Sequence, residues 1–376
     1  MRFHGGWLAR AVFFVATALP VSAWACGGGL VSVGTGTLGA DRQRIFLSVR
    51  GGTTDVITEV SVPATTADYG VLLPLPAAPT LDPQPVAAAD LDTLDRVTAP
   101  QVFATSSSDS GGGCGCPLGA GGGSNGTKGG IDRGVDASAP IDIGPVTAVV
   151  LTADTGDAVN AWLAANGFAL PPDGPALVDA YAGTGRFFVA LRRNDSAAPG
   201  GVTSVGVHFT LPGDARTLPL RFAHLGAAAT VSFTVFVAAP TAVAPAVPFE
   251  ALTLSDLNAS LLRTPGYAAA LTAAVAARNH QAFIIEGVFP GNSWTGLLPA
   301  VTALIDPAAS VTRLSTILPA TALTTDVALD QPFTGQAPTS RYVEAETPVR
   351  SRVPPGGVAG LTFLFACALV GKRRGR

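Results

Sequence analysis

Charge is scarce in this sequence. Only 13% of its 376 residues are Asp, Glu, Lys or Arg, Lys is nearly absent, and the formal net charge is −3. A chain with no basic excess has no footprint for phosphate backbones, which excludes nucleic acid as a partner. Reactive side chains are few as well, with four Cys and four His. No His/Cys cluster supplies the four or so ligands of a zinc site. Asp132, Asp136 and Asp142 match no calcium loop. Neither H-E-x-x-H nor G-x-S-x-G appears, so no zincin helix or hydrolase elbow is written locally. No catalytic residue, cofactor-binding residue, metal ligand or cofactor is therefore assigned.

Long hydrophobic runs are also missing at the two ends, where short ones take their place. Arg2 and Arg10 flank the start of an apolar stretch, Ala11 to Val21, that contains Phe13, Phe14 and Leu19. It is too short to span a bilayer. Ala23-Trp24-Ala25 then gives the small-x-small pattern of a signal peptidase site, so residues 1–25 read as a signal peptide cut between Ala25 and Cys26. Trp24 is bulky where a lipobox is small, which argues against lipidation of Cys26. At the other end, Pro354-Pro355-Gly356-Gly357 breaks any preceding element. Val358 to Val370 follows, with Leu361, Phe363, Leu364, Phe365 and Leu369, and then Lys372, Arg373, Arg374 and Arg376. Thirteen helical residues reach about 20 Å against a hydrocarbon core of roughly 30 Å. Neighbouring glycines and snorkelling Arg side chains extend that reach. The basic cluster stays cytoplasmic and leaves the body outside. Residues 346–376 thus read as a linker and a transmembrane or sorting tail. The arrangement resembles bacterial sorting tails that a membrane protease processes; the competing reading is a buried terminal helix.

What is abundant lies between them: 48% of the residues are apolar, enough for a sizeable core. Strands are expected over Arg44–Arg50, over Asp55–Val62 with Asp55, Glu59 and Ser61 on a polar face, and over Tyr69–Leu75. Pro74 and Pro76 place the last at a sheet margin. Leu91, Leu94 and Val97 have helical spacing. Residues 105–139 are Ser/Gly-rich and cannot bury enough surface to order themselves, so a flexible insertion is expected there. A strand Val146–Leu151 precedes a helix capped by Asp154 or Thr155 and ended by Asn166-Gly167. A second helix starts at Pro175 and closes near Gly183. Strands follow at Phe187–Leu191, around Val207 and Phe209, and around Phe233 and Val235, the last two as half-buried antiparallel strands. A helix over about Tyr267–Ala277 precedes a strand Ala282–Glu286. The sum is an α+β fold, largely antiparallel sheets with a few interposed helices, in one domain over residues 26–345.

Several motifs invite sharper readings. Gly34-Thr35-Gly36-Thr37-Leu38-Gly39 fits G-x-G-x-x-G, but a dinucleotide site needs a helix next and here a strand is expected. Gly123 to Lys128 hints at a phosphate loop, yet Gly129 stands where Ser or Thr belongs. His208 lies on the polar face of its strand and reads as an ordinary exposed histidine. In an oxidising compartment, Cys26, Cys114 and Cys116 cannot all pair within one chain. The plain reading is one disulfide from Cys26 to Cys114 or Cys116; the alternative is a strained Cys114–Cys116 ring able to act in redox chemistry. Cys367 in the tail is apolar filler.

Short stretches follow one another along the chain in this order: Ala25-Cys26-Gly27-Gly28, Arg44-Ile45, Tyr69 to Pro76, Cys114-Gly115-Cys116, Leu151 to Asp157, Trp162-Leu163, Asn166-Gly167-Phe168, Phe187 to Leu191 and Thr312-Arg313-Leu314. Their order resembles that of a bacterial family, domain of unknown function 2330. The resemblance implies a secreted or surface protein and brings no catalytic residues. Its members often carry a second Cys soon after the first, which this chain lacks. The expected function is an exported envelope protein tethered by its tail in a binding or structural role. The alternative is an extracytoplasmic hydrolase or thiol-redox enzyme. Expected partners are the membrane, a signal peptidase and a sorting protease.

Overall fold

The computed structural model describes residues 23–24, 29–33, 39–61, 69–84, 88–104, 134–144, 146–185, 187–193, 204–263, 265–338 and 342–345. In chain order its main elements begin with β1 (Gly29–Val33), β2 (Ala40–Arg50), β3 (Thr53–Ser61), β4 (Tyr69–Leu75), β5 (Thr80–Leu81), α1 (Ala88–Thr98), β6 (Val135–Ala137), β7 (Ile141–Ile143) and β8 (Val146–Ala153). They continue with α2 (Gly156–Ala165), β9 (Phe168–Ala169), α3 (Gly174–Gly185), β10 (Phe187–Arg193), β11 (Ser204–Pro212), β12 (Ala227–Ala239), β13 (Glu250–Thr253), α4 (Tyr267–Ala276), β14 (Ala282–Pro290) and β15 (Ser310–Pro319). The architecture is mixed α and β with mostly antiparallel sheets, as expected.

Eight strands form the larger sheet in the order β13-β14-β15-β12-β2-β3-β11-β5. The smaller sheet runs β9-β1-β4-β10-β8-β6, with β7 also on β8. Their inner faces meet. Ile45, Leu47, Val56, Phe209, Phe233 and Leu314 of one sheet pack with Leu73, Leu75, Ala148 and Val189 of the other in a single buried cluster. The outer face of the smaller sheet, with Leu72, Leu151 and Phe188, lies under Val159, Trp162, Leu163 and Val178 of α2 and α3. On the far side, Phe46, Ile57 and Phe236 are covered by Leu91 and Leu94 of α1 and by Trp294, Leu298 and Val301. Ile284 of β14 packs with Ala270 and Leu271 of α4. The body is therefore four layers, helices outside and two sheets inside.

That layering corrects several expectations. The central strands are buried on both faces, so the polar face expected for β3 is not solvated: Asp55 is 5% exposed and Glu59 1%. β12 is likewise buried on both sides, and it runs parallel to β2 although antiparallel to β15. β4 is an interior strand despite Pro74 and Pro76. Its neighbour β1 pairs only with Tyr69 to Leu72, so Pro74 lies past the end of that ladder and its missing N–H costs no sheet bond there. Val135–Ala137, inside the stretch expected to be an insertion, is a strand on β8. The strand β2 does follow the Gly34 to Gly39 motif, as expected.

Local signals placed other elements well. The Thr155 side chain caps α2 by accepting from the Ala158 N–H. Gly51 and Gly52, at φ +59° and +83°, make the two-residue turn between β2 and β3. Both positions need positive φ, the region glycine enters at least cost. Among the described residues, no helix is long and apolar enough to cross a membrane. The tail residues Leu361, Phe363, Leu364, Phe365, Leu369, Lys372, Arg373 and Arg374 lie outside the described residues. So do Ala25, Cys26, Cys114 and Cys116. Of residues 1–25, Ala23–Trp24 is described, as a short strand parallel to Ala215–Leu218.

Candidate functional site

The polar side chains converge on the outer face of the larger sheet. The Gly51-Gly52 turn fixes the register of β2 on β3, and that register sets Arg44 opposite Glu59. Arg44 Nη2 donates to Glu59 Oε1 at 2.9 Å and its Nε to Oε2. The helix α1 adds Asp92 Oδ1, 2.7 Å from Arg44 Nη2. Asp95, one turn on, faces Arg313 Nη1 at 2.6 Å. Arg313 also donates to Glu286, and its Nη1 to Thr98 Oγ1 at 2.8 Å, while its guanidinium lies 5.2 Å from the Phe236 ring centroid. Glu286 shares the outward face of β14 with Ile284, two residues before it, and is the extra residue of a bulge between Ile285 and Gly287 that lies beside Arg313. The Tyr267 hydroxyl of α4 donates to Glu286.

The result is a continuous chain of partners from Glu59 through Arg44, α1 and Arg313 to Glu286 and Tyr267. Burial alone would lower both guanidinium pKa values, but the carboxylates outweigh it and hold them above the usual arginine value. The Tyr267 hydroxyl is pushed up, first by burial and then by the Glu286 charge. Such a chain locks α1 and α4 to the sheet; a buried pair of this kind resists loss of either member far more than it adds net stability.

A second cluster lies further along the same face. Thr210 stands opposite Asp55 and donates to its Oδ1 at 2.9 Å. Arg50 Nε and Nη2 each lie 2.9 Å from Asp55 Oδ2. His208 is 13% exposed and sits between Asp55 and Asp82, which corrects the expectation of an ordinary surface histidine. His224 does not join it: its Nδ1 is 3.0 Å from the Ala320 carbonyl and its Nε2 3.2 Å from Asp173. A third contact, from the Tyr181 hydroxyl to both Asp326 oxygens at 2.7 Å, ties α3 to the 326 turn. Burial raises the Asp326 carboxyl, against the hydrogen bond from Tyr181.

Sequence reasoning named none of these clusters as a site. Arg44, Glu59, Glu286 and Arg313 are spread across the chain, and only strand register joins them. Asp136 and Asp142 fall on β6 and β7, and no group of three possible metal ligands forms among the described residues.

A family model described as an uncharacterized protein conserved in bacteria, DUF2330, matches residues 20–329. The chain belongs to this family. The match takes in nearly all the DUF2330 body, including both polar clusters and every strand of the two sheets. No curated protein and no solved structure matches the chain.

Proposed function

We propose that this DUF2330 protein is an exported component of the bacterial cell envelope, held at the membrane by its C-terminal tail and serving a binding or structural role. One observation supports a non-catalytic body. The buried charges of the outer face are engaged with one another, and both ring nitrogens of His208 and of His224 already face internal partners. A general base needs a nitrogen aimed at a reacting group. In this reading, signal peptidase cuts between Ala25 and Cys26, and Cys26 pairs with Cys114 or Cys116. Leu361, Phe363, Leu364, Phe365 and Leu369 enter the bilayer, with Lys372, Arg373 and Arg374 on the cytoplasmic side. A sorting protease that clips this tail would release or re-anchor the body.

Protease added outside spheroplasts that express the full chain tests the topology. Degradation of the body, with membrane retention lost when residues 358–376 are deleted, is the expected result. A body that stays protected until the cells are lysed would overturn the reading.

A further inference from the structure

Two strands stand apart from both sheets. Gln101–Ala104 and Tyr342–Ala345 pair with each other in parallel, in register from Gln101 with Tyr342 to Ala104 with Ala345. A two-stranded ribbon has little stability of its own, and this one is held at two points. It begins three residues after Thr98, the last residue of α1, which Arg313 ties to the larger sheet. Val102 and Val343 then pack with Leu252, Leu257 and Leu262 in the cluster that also covers Ile284 on the outer face of that sheet. The ribbon therefore lies with α1 and α4, on the side of the body away from α2 and α3.

Parallel strands leave a ribbon at the same end. Ala104 and Ala345 are paired neighbours, so residues 105 and 346 start side by side. From there residues 346–357, twelve in all, lead to the apolar run that starts at Val358. Fully extended, they reach at most about 45 Å. A compact body of residues 26–345 has a radius of gyration of about 20 Å, hence a diameter of about 50 Å. On so short a leash the layer of α2 and α3 cannot turn to the bilayer. Without the ribbon, the next tie upstream among the described residues would be the bond from the Phe333 N–H to the Ala242 carbonyl. The leash would then be residues 334–357 and would reach about 80 Å, more than the body is wide. Side chains alternate along a strand, so Val102 faces the cluster and Phe103 faces out, 52% exposed. An apolar ring in that place suits the boundary between headgroups and acyl chains. We propose that this ribbon is the membrane-facing end of the body and that Phe103 touches the lipid surface. The proposal rests on the tail-anchored reading above and adds a fixed orientation, which a tail alone does not dictate.

The test uses the full chain in vesicles of phosphatidylethanolamine and phosphatidylglycerol, with a photo-crosslinking amino acid in place of Phe103 or of Ala161. Ala161 is exposed on α2, in the opposite layer. Irradiation should give lipid adducts at position 103 and none above background at position 161. Inserting about forty Gly/Ser residues after residue 345 raises the root-mean-square span of the leash to about 40 Å. The body can then turn, and adducts should appear at position 161. Equal labelling of the two positions without the insertion, or labelling that the insertion leaves unchanged, would overturn the orientation. If the protein still floats with the vesicles in that case, the anchoring reading stands. A chain that does not float with them overturns both.

Discussion

Arg44 and Glu59 are each about 1% exposed and face one another across β2 and β3. Arg44→Met would leave Glu59 buried without its bidentate partner, at a cost of about 3–5 kcal/mol. The double change Arg44→Met with Glu59→Leu should recover part of that loss, because no charge is left stranded. Urea denaturation of the single and double variants measures both; a single variant as stable as the parent would contradict the assignment. Alternation along Asp55 to Glu59 separates two faces of that strand, but a sequence cannot show that a helix some thirty residues later covers the polar one. The enclosure of His208 is hidden from the sequence for the same reason. Its partners Asp55 and Asp82 are distant in sequence and meet only once β11 pairs with β3 and β5.

Among the elements, the helices above the smaller sheet are the most sharply defined. A Cβ built on Gly156 would lie 2.1 Å from the Cα of Asp179. Gly156→Ala must therefore push α2 away from α3, costing about 1–3 kcal/mol or more by the measure of an overpacked core. Thr155→Ala removes only the cap and should cost about 1 kcal/mol. A shift in thermal midpoint several-fold larger for Gly156→Ala than for Thr155→Ala checks the ranking, and equal shifts would contradict the packing. On the opposite layer, Leu94→Ala should cost about 2–5 kcal/mol, since Leu94 is fully buried against the sheet. The Asn166-Gly167 stop and the limits of Tyr69–Leu75 are legible because each is written in adjacent residues, and the cap of α2 is narrowed by the same means to Asp154 or Thr155, of which Thr155 is the one used. The place of β4 inside its sheet is not legible. Prolines mark where N–H donors are missing, and only the short reach of β1 shows that Pro74 has no strand opposite it on that side.

For the whole molecule, the apolar content and the succession of strands and helices pointed to an α+β body, and two stacked sheets between helical layers are what that content builds. Near-continuous apolar runs such as Ile45-Phe46-Leu47 and Phe233 to Val237 are the mark of strands covered on both faces. The parallel pairing of β2 with β12 joins segments far apart in the chain, which no local pattern encodes. The two ends, which apart from Ala23–Trp24 lie outside the described residues, carry the localisation reading, which rests on their apolar runs and basic residues. Intact-mass analysis and N-terminal sequencing of the protein recovered from cell membranes test that reading most directly. A mature chain beginning at Cys26 and found with the membrane is the predicted result. A chain beginning at Met1 and recovered from the cytosol would contradict it.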